Sequence, residues 1–390
     1  MKTKRRILFV NGNLSIGGTE RSLVNLLNAI DTDDYDIDLL LLQPGRELIS
    51  ELKPNINVIS RDVTAAFGPI KETVSKNIKD KRYFEIILRI CLTLPSKIGS
   101  KLLGFIYRQF GIKRKYDVAI SYRPGLSELI VLNCVKSNKK LTWWHHGDFS
   151  NGVNLLTLRR NWKLFDRVIT VSEGIERLIQ KTISECVGKT GIIYNLVNTD
   201  VLRSKVNPVN PYESWNCSLK LVTVSRLSIE KNLTRIIDIA KELLKQSVYF
   251  KWAIVGGGKM QEDLHKLIVD HKLEEYVMLI GETDDPYSWM YYADLMVHPS
   301  LIESFGLVLV ESMSLGTPCV SAKSLGALDV INDDNGILVD DNSTEYVRAI
   351  IHFNENNLFR LKLIENGKKS VEKYTPNKAI RNFYSLIEAK

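Results

Sequence analysis

Short, nearly continuous apolar runs alternate with amphipathic stretches along the whole chain, and this alternation constrains the fold more than any other feature. The runs fall at residues 6–10, 37–42, 118–121, 141–144 and 167–171 in the first half, and at 219–224, 251–255, 277–280, 295–297 and 319–321 in the second. Strands that are apolar on both sides are covered on both faces, so the pattern predicts parallel sheets between helices, an α/β architecture. The stretch 231–244 shows the helical partner of this pattern, with Ile236, Ile237, Ala240, Leu243 and Leu244 on one stripe. Between the halves, residues 201–218 carry Asn207-Pro208-Val209-Asn210-Pro211 and few apolar residues, as an interdomain linker does. A chain of 390 residues, 44% of them hydrophobic, can build more than one core. Two Rossmann-like units are therefore expected, 1–200 and 219–374, followed by a helix within 375–390.

Five cysteines (Cys91, Cys134, Cys186, Cys217 and Cys319) stand far apart without a C-x-x-C pair, which argues against a disulfide framework or zinc ribbon and for a reducing cytosol. The opening MKTKRRILFV has the basic front of a signal peptide, but its apolar run stops at Asn11-Gly12-Asn13 and reads as a first buried strand. No segment approaches the roughly eighteen uncharged apolar residues of a membrane-spanning helix. The net charge is +8 and unevenly placed: residues 71–115 hold twelve Lys/Arg against three acids, so this segment alone accounts for the excess.

Four clusters carry candidate chemistry. In the first, PSLIESFGLVLVESMSLGTP at 299–318, Glu303 and Glu311 stand in a Glu-x7-Glu spacing around a strand-to-helix turn. Phe305, Gly306 and Leu307 would offer free N–H groups there, suited to phosphate or hydroxyl oxygens. Glu311 lies in a helix apolar on nearly every side and needs a hydrogen-bonded partner, either a polar ligand or an internal Arg. The second, SRLSIEKN at 225–232, follows a strand; Lys231 in a first helical turn opposes the helix dipole unless an anion sits there. A diphosphate would supply one, with Arg226 reaching the same oxygens; the alternative is a solvated Glu230–Lys231 pair.

The third, NGNLSIGGTE at 11–20, places Gly17 and Gly18 where backbone can approach a ligand at a helix N-terminus, or simply turn. Its spacing is not the G-x-G-x-x-G of a dinucleotide site, and no Walker Lys-Ser/Thr is present. The fourth, WWHHGDF at 143–149, ends a strand; adjacent residues point to opposite faces, so only one of His145 and His146 can easily reach the cleft. No third ligand accompanies the histidine pair, and Asp31-x-Asp33 and Asp36-x-Asp38 read as turn residues, so no metal site is expected.

In this order, over nearly the full length, the clusters resemble the retaining glycosyltransferases of family 4, which have the GT-B fold of two Rossmann-like domains facing each other across a cleft. The C-terminal half matches most specifically. The resemblance implies that Arg226 and Lys231 stabilise the leaving diphosphate without a metal, that Glu311 holds ribose hydroxyls, and that Glu303 with Ser304, Phe305, Gly306 and Leu307 grips the sugar. It places His146 by the anomeric carbon, Gly17 and Gly18 at the donor phosphates, Gly256 below the nucleotide, and Glu282 by the base. It also implies that the C-terminal helix crosses back to the first domain. Two departures are Leu196, where the family has glycine after Asn195, and Ser304, where it has Gly or Ala.

The implied reaction moves a sugar from a nucleotide diphosphate sugar, with UDP as the family's usual carrier, to a lipid-linked or other saccharide for a bacterial capsule, exopolysaccharide or lipopolysaccharide. No cofactor is expected. The basic segment interleaves cations with Ile86, Ile87, Leu88, Ile90, Leu92, Leu94, Ile98, Leu102, Leu103, Phe105, Ile106 and Phe110. It suits docking on an anionic membrane from the cytoplasmic side, or helices packed on the sheet with charged outer faces. Its scattered aromatics do not form a nucleic-acid stacking platform. A GT-B sugar-nucleotide epimerase and a non-catalytic nucleotide-sugar or membrane-scaffold relative are the competing functions.

Overall fold

The computed structural model describes residues 4–66, 70–93, 112, 114–150 and 153–388. The first half builds a seven-stranded sheet from β1 (Arg5–Asn11), β2 (Tyr35–Leu41), β3 (Asn57–Ser60), β4 (Lys115–Ser121), β5 (Lys136–Trp144), β6 (Arg167–Thr170) and β7 (Thr190–Ile192), in the order β3-β2-β1-β4-β5-β6-β7. The second half builds a six-stranded sheet from β8 (Leu219–Val224), β9 (Phe250–Val255), β10 (Val277–Gly281), β11 (Leu295–His298), β12 (Cys319–Ala322) and β13 (Ile337–Val339), in the order β10-β9-β8-β11-β12-β13. The assigned pairings are parallel in both sheets. In each sheet the order reverses beside the first strand of the half, β1 or β8, where the C-terminal strand ends open a crevice for a ligand.

The ten strands expected from apolar runs are present, most of them longer than the runs by a residue or more. Three were not expected: β3, β7 and β13. Each lies at a sheet edge and has only three or four residues, too few for a pattern to emerge.

Two expectations are corrected. Residues 231–244 do not form one helix: a 3-10 turn, Ile229–Lys231, ends at Asn232 with φ +53°, and the helix proper is Thr234–Lys245. Lys231 therefore closes a turn before the helix. Asp36 and Asp38 are not turn residues but lie inside β2. Asp38 is buried and accepts from Tyr116 Oη (2.6 Å), Asn57 Nδ2 (2.7 Å) and Arg114 Nη1 (3.1 Å), while Arg114 Nη2 also reaches Asp36 (2.7 Å). The network ties β2, β3 and β4 together and gives one residue of the basic segment a structural use.

The helix Pro376–Glu388 packs on Gly18–Ala29 of the first half. Phe383 stacks on Phe9 (6.1 Å between centroids), Tyr384 stacks on Tyr35 (5.3 Å), and the Asp31 amide donates to Tyr384 Oη (2.8 Å). One apolar cluster runs continuously from Phe9 through Phe383 and Tyr374 to Phe305 and Leu309 of the second half. In the basic segment, Ile70–Lys79 and Tyr83–Thr93 are helical. Lys97, Lys101, Arg108, Lys113, Leu94, Ile98, Leu102, Leu103, Phe105, Ile106 and Phe110 lie outside the described residues. Among the described residues no helix is long and apolar enough to cross a membrane.

Candidate functional site

The ends of β8 and β11, neighbours in the second sheet, bring the SRLSIEKN and PSLIESFG segments side by side. The loop after β8 is seated on the glycine triad after β9: Leu227 N–H donates to Gly257 O (2.8 Å) and Ser225 N–H to Val255 O (3.0 Å). Gly256 has φ +131°, and a Cβ there would overlap the Ser225 carbonyl oxygen, so only glycine permits this approach. Glu282, exposed at the end of β10, has its side chain against Gly257. Ser300 Oγ lies 3.2 Å from Ile302 O and 3.4 Å from Glu230 O, joining the two segments.

Across this junction Lys231 Nζ lies 2.5 Å from Glu303 Oε1, and His298 Nε2 lies 2.8 Å from the same oxygen. The side chains of Lys231 and Glu303 are 15% and 12% exposed. Burial pushes the Glu303 carboxyl upward, but the Lys231 charge and the His298 hydrogen bond outweigh it and hold the group well below the usual carboxylate range. The anion that Lys231 needs is thus supplied by the protein. The exposed Arg226 pairs with Glu230 at 3.5 Å, so the surface ion pair of this segment is Arg226–Glu230 and not Glu230–Lys231. Phe305 is buried, Ser304 and Leu307 are half-buried, and Gly306 caps the helix Leu307–Leu315, whose first N–H groups have no partner within the helix.

Glu311 stands apart from this cluster. It faces a small cavity between the halves, lined by Arg21, Asn25, Asn198, Lys205 and Tyr287 among others. Tyr287 Oη donates to Glu311 Oε1 over 3.4 Å, and the Arg21 guanidinium lies 5.8 Å from the Tyr287 ring. Burial pushes the Glu311 carboxyl up to about 7, against the smaller opposing pull of Arg21 and Tyr287. Its protein partner is therefore a tyrosine hydroxyl, with an arginine acting only through its charge.

On the first half, Gly17 and Gly18 open the helix Gly18–Ala29, and a Cβ at Gly18 would stand 3.9 Å from Leu307 Cδ2 across the cleft. The buried Glu20 pairs with Arg123 at the end of β4. Strand β5 delivers both histidines, and their environments differ. His145 packs on Tyr122 (4.4 Å) and parallel to Trp143 (5.7 Å), and burial lowers its pKa well below the ordinary value. His146 is exposed and stands against Trp144 (4.9 Å); desolvation and the Arg123 charge lower its pKa. At Gly147 a Cβ would stand 2.8 Å from Ile302 Cγ2 and 3.0 Å from the Glu303 carbonyl carbon, so the two halves touch here backbone to backbone.

Sequence reasoning missed four residues of this neighbourhood: His298, Arg123, Arg21 and Tyr287. His298 and Arg123 carried a positional signal, since each sits at or just beyond the C-terminal end of a strand next to the reversal in strand order. Arg21 and Tyr287 meet Glu311 only through tertiary packing and carried none. Among the described residues no group of three or more His, Cys, Asp or Glu is placed to hold a metal ion.

Two parallel sheets thus meet across a cleft, with a cationic turn and a carboxylate at the second sheet's strand ends. Residues 216–370 match the model of the glycosyl transferases group 1. The chain is 32% identical over 383 residues to the lipopolysaccharide core biosynthesis glycosyltransferase LpsE of Rhizobium meliloti, covering 96% of each chain, and it belongs to this family. It is 26% identical over 376 residues, 92% of each chain, to the N-acetylgalactosamine-N,N'-diacetylbacillosaminyl-diphospho-undecaprenol 4-alpha-N-acetylgalactosaminyltransferase of Campylobacter jejuni. Two other relatives are matched over only 59% and 25% of their length. The crystal structure of Anabaena HepE in complex with UDP superposes with a TM-score of 0.71 at 19% identity, covering 99% of this chain and 100% of that one. The fold is GT-B.

Proposed function

We propose that this chain is a retaining glycosyltransferase of the family-4 type, which moves a sugar from a UDP-sugar to a saccharide acceptor in the synthesis of a bacterial surface polysaccharide. The observation that carries the reading is the Lys231–Glu303 pair beside the exposed Arg226 and the open N-terminus of Leu307–Leu315. These groups together suit a diphosphate joined to a hydroxyl-rich ring. In this reading Arg226 and Lys231 take up charge on the leaving diphosphate, the work a metal performs elsewhere. Glu303, Ser304 and the backbone at Phe305, Gly306 and Leu307 hold the sugar. Glu311 takes the ribose, Gly256 and Glu282 flank the nucleotide, and Gly17, Gly18 and His146 close over the donor from the first half.

In this reading the acceptor binds to 1–200 and the donor to 219–374, joined by the linker 201–218, with the helix in 375–390 returning to the first half. The activities of the LpsE and Campylobacter relatives support a lipid-linked acceptor, and the HepE complex supports UDP. Exposed Ile78, Tyr83 and Ile87 beside Lys71, Lys76, Lys79, Lys81 and Arg82 support docking on the anionic inner face of the cell membrane.

The test is incubation with UDP-, GDP- and ADP-sugars in EDTA, with and without saccharide acceptors, followed by NMR of the product's anomeric carbon. Acceptor-dependent transfer with retained configuration in EDTA is expected. Consumption of the sugar nucleotide without acceptor replaces the reading with an epimerase, and inverted configuration or a metal requirement removes its mechanistic part.

A further inference from the structure

Strand β11 ends on His298, which is 1% exposed and lies in register with Ser321 of β12. The bond from its Nε2 to Glu303 and the bond from Lys231 both fall on Oε1, and among the described residues none donates to Oε2. His298 Nδ1 is buried without a partner. A proton there would be an unsatisfied buried donor, so the ring carries its proton on Nε2 and donates it to the carboxylate.

We propose that His298 is a positioning residue: it holds Glu303 by Oε1, keeps Oε2 free for a sugar hydroxyl, and lets Lys231 turn to the donor's diphosphate. This rests on the donor-site reading above. A carboxylate so little exposed needs a compensating group at all times. In the empty site Lys231 provides it, but the same ammonium is the group assigned to the leaving diphosphate. One cation cannot serve two anions equally. When diphosphate draws Lys231 away, the charge-assisted hydrogen bond from His298 remains and fixes the carboxylate in the same rotamer. His298 transfers no proton and touches no substrate in this role. Among the described residues the titratable groups that act on Glu303 are Lys231 and His298, and across the cleft its backbone meets Gly147.

The test compares His298→Leu, His298→Gln and His298→Asn. The glutamine amide places an N–H near the position of Nε2; the asparagine amide is too short to reach Oε1. His298→Leu is expected to lower kcat about 10- to 100-fold, the worth of one hydrogen bond to a charged group. Its acid limb of kcat against pH moves upward, because the ionised form of Glu303 has lost a donor. His298→Gln restores most of kcat and returns the limb toward wild type. A leucine variant with wild-type kcat and acid limb overturns the proposal, as does a loss that glutamine fails to rescue while both variants keep the wild-type melting temperature. Should the leucine variant not fold, the Gln–Asn pair carries the same contrast: equal kcat and equal acid limbs overturn it. Calorimetry of the wild type with UDP separates the two levels. No UDP binding removes the donor-site reading and this proposal together; UDP binding with indistinguishable variants removes this proposal alone.

Discussion

The two walls of the cleft hold their polar groups by different means. On the second half, charges pin one another: Lys231, Glu303 and His298 meet at a single carboxylate oxygen. On the first half, beside one ion pair, Glu20–Arg123, rings hold the two histidines: His146 stands on Trp144, which meets Trp162 edge-on at 5.5 Å, and His145 lies against Tyr122 and Trp143. Below them Glu128 is buried, accepting from Thr142 Oγ1 and Trp162 Nε1, and burial raises its pKa. A wall pinned by charge is sensitive to the loss of a single partner and to a ligand's own charge. A wall pinned by stacking keeps its shape while one polar group is exchanged.

The largest break in this contrast is expected from Lys231→Ala. It leaves Glu303 without its cation, and removing one member of so enclosed a pair destabilises by about 3 kcal/mol or more. Urea unfolding measures the loss, and adding Glu303→Gln should recover most of it. Transfer should remain low in both variants. A single mutant as stable as wild type would show that the pair does not organise this wall.

Next in size is the pH response of Glu311. Its folded pKa, raised to about 7 by burial, means that the native state keeps a proton which the unfolded chain releases near about 4.5. Stability therefore falls as pH rises from that range to about 7 and is level above it. Hydroxyl groups prefer the ionised carboxylate, so nucleotide affinity should climb as pH passes about 7. Both slopes should vanish in Glu311→Gln, as read by thermal unfolding and calorimetry across the range.

On the stacked wall, His146→Ala is expected to lower transfer about tenfold or more if the ring sits at the reacting carbon, while UDP affinity stays within a factor of about two. Equal losses in both would place His146 in nucleotide binding and erase the distinction between the walls. The smallest effect expected is from Tyr384→Phe at the return helix. It removes the acceptor of the Asp31 amide but keeps the stacking on Tyr35, for about 1 kcal/mol of stability and no change in UDP affinity.

The sheets were legible because central parallel strands such as β1, β4, β8 and β11 are apolar on both faces. The edge strands β3, β7 and β13 were not, since a three- or four-residue strand with one open side has no periodicity to read. In the site, residues whose chemistry conflicts with their local setting could be found in the sequence: Lys231 near a helix start and Glu311 in an apolar helix. What they meet could not. That Lys231 faces Glu303, 72 positions away, and that Arg21 approaches Glu311 across the cleft, follow from strand order and packing. The split of the 231–244 stripe at Asn232 was hidden because the apolar spacing continues through Leu233 and Ile236, while the left-handed turn depends on one residue's backbone.

The return helix has a consequence for how the chain is made. Phe9 and Tyr35 are synthesised long before Phe383 and Tyr384, which cover them, and the Asp31 amide waits 353 positions for its acceptor. The first sheet can form on the ribosome, but one flank of it stays open until nearly all of the second half has been translated. Closing so long a loop adds only a logarithmic entropy term, so the burden falls on time and not on final stability. A ribosome stalled within the second half would therefore present a folded sheet with an apolar stripe beside Gly18–Ala29, a target for chaperones that a stall after the return helix would lack.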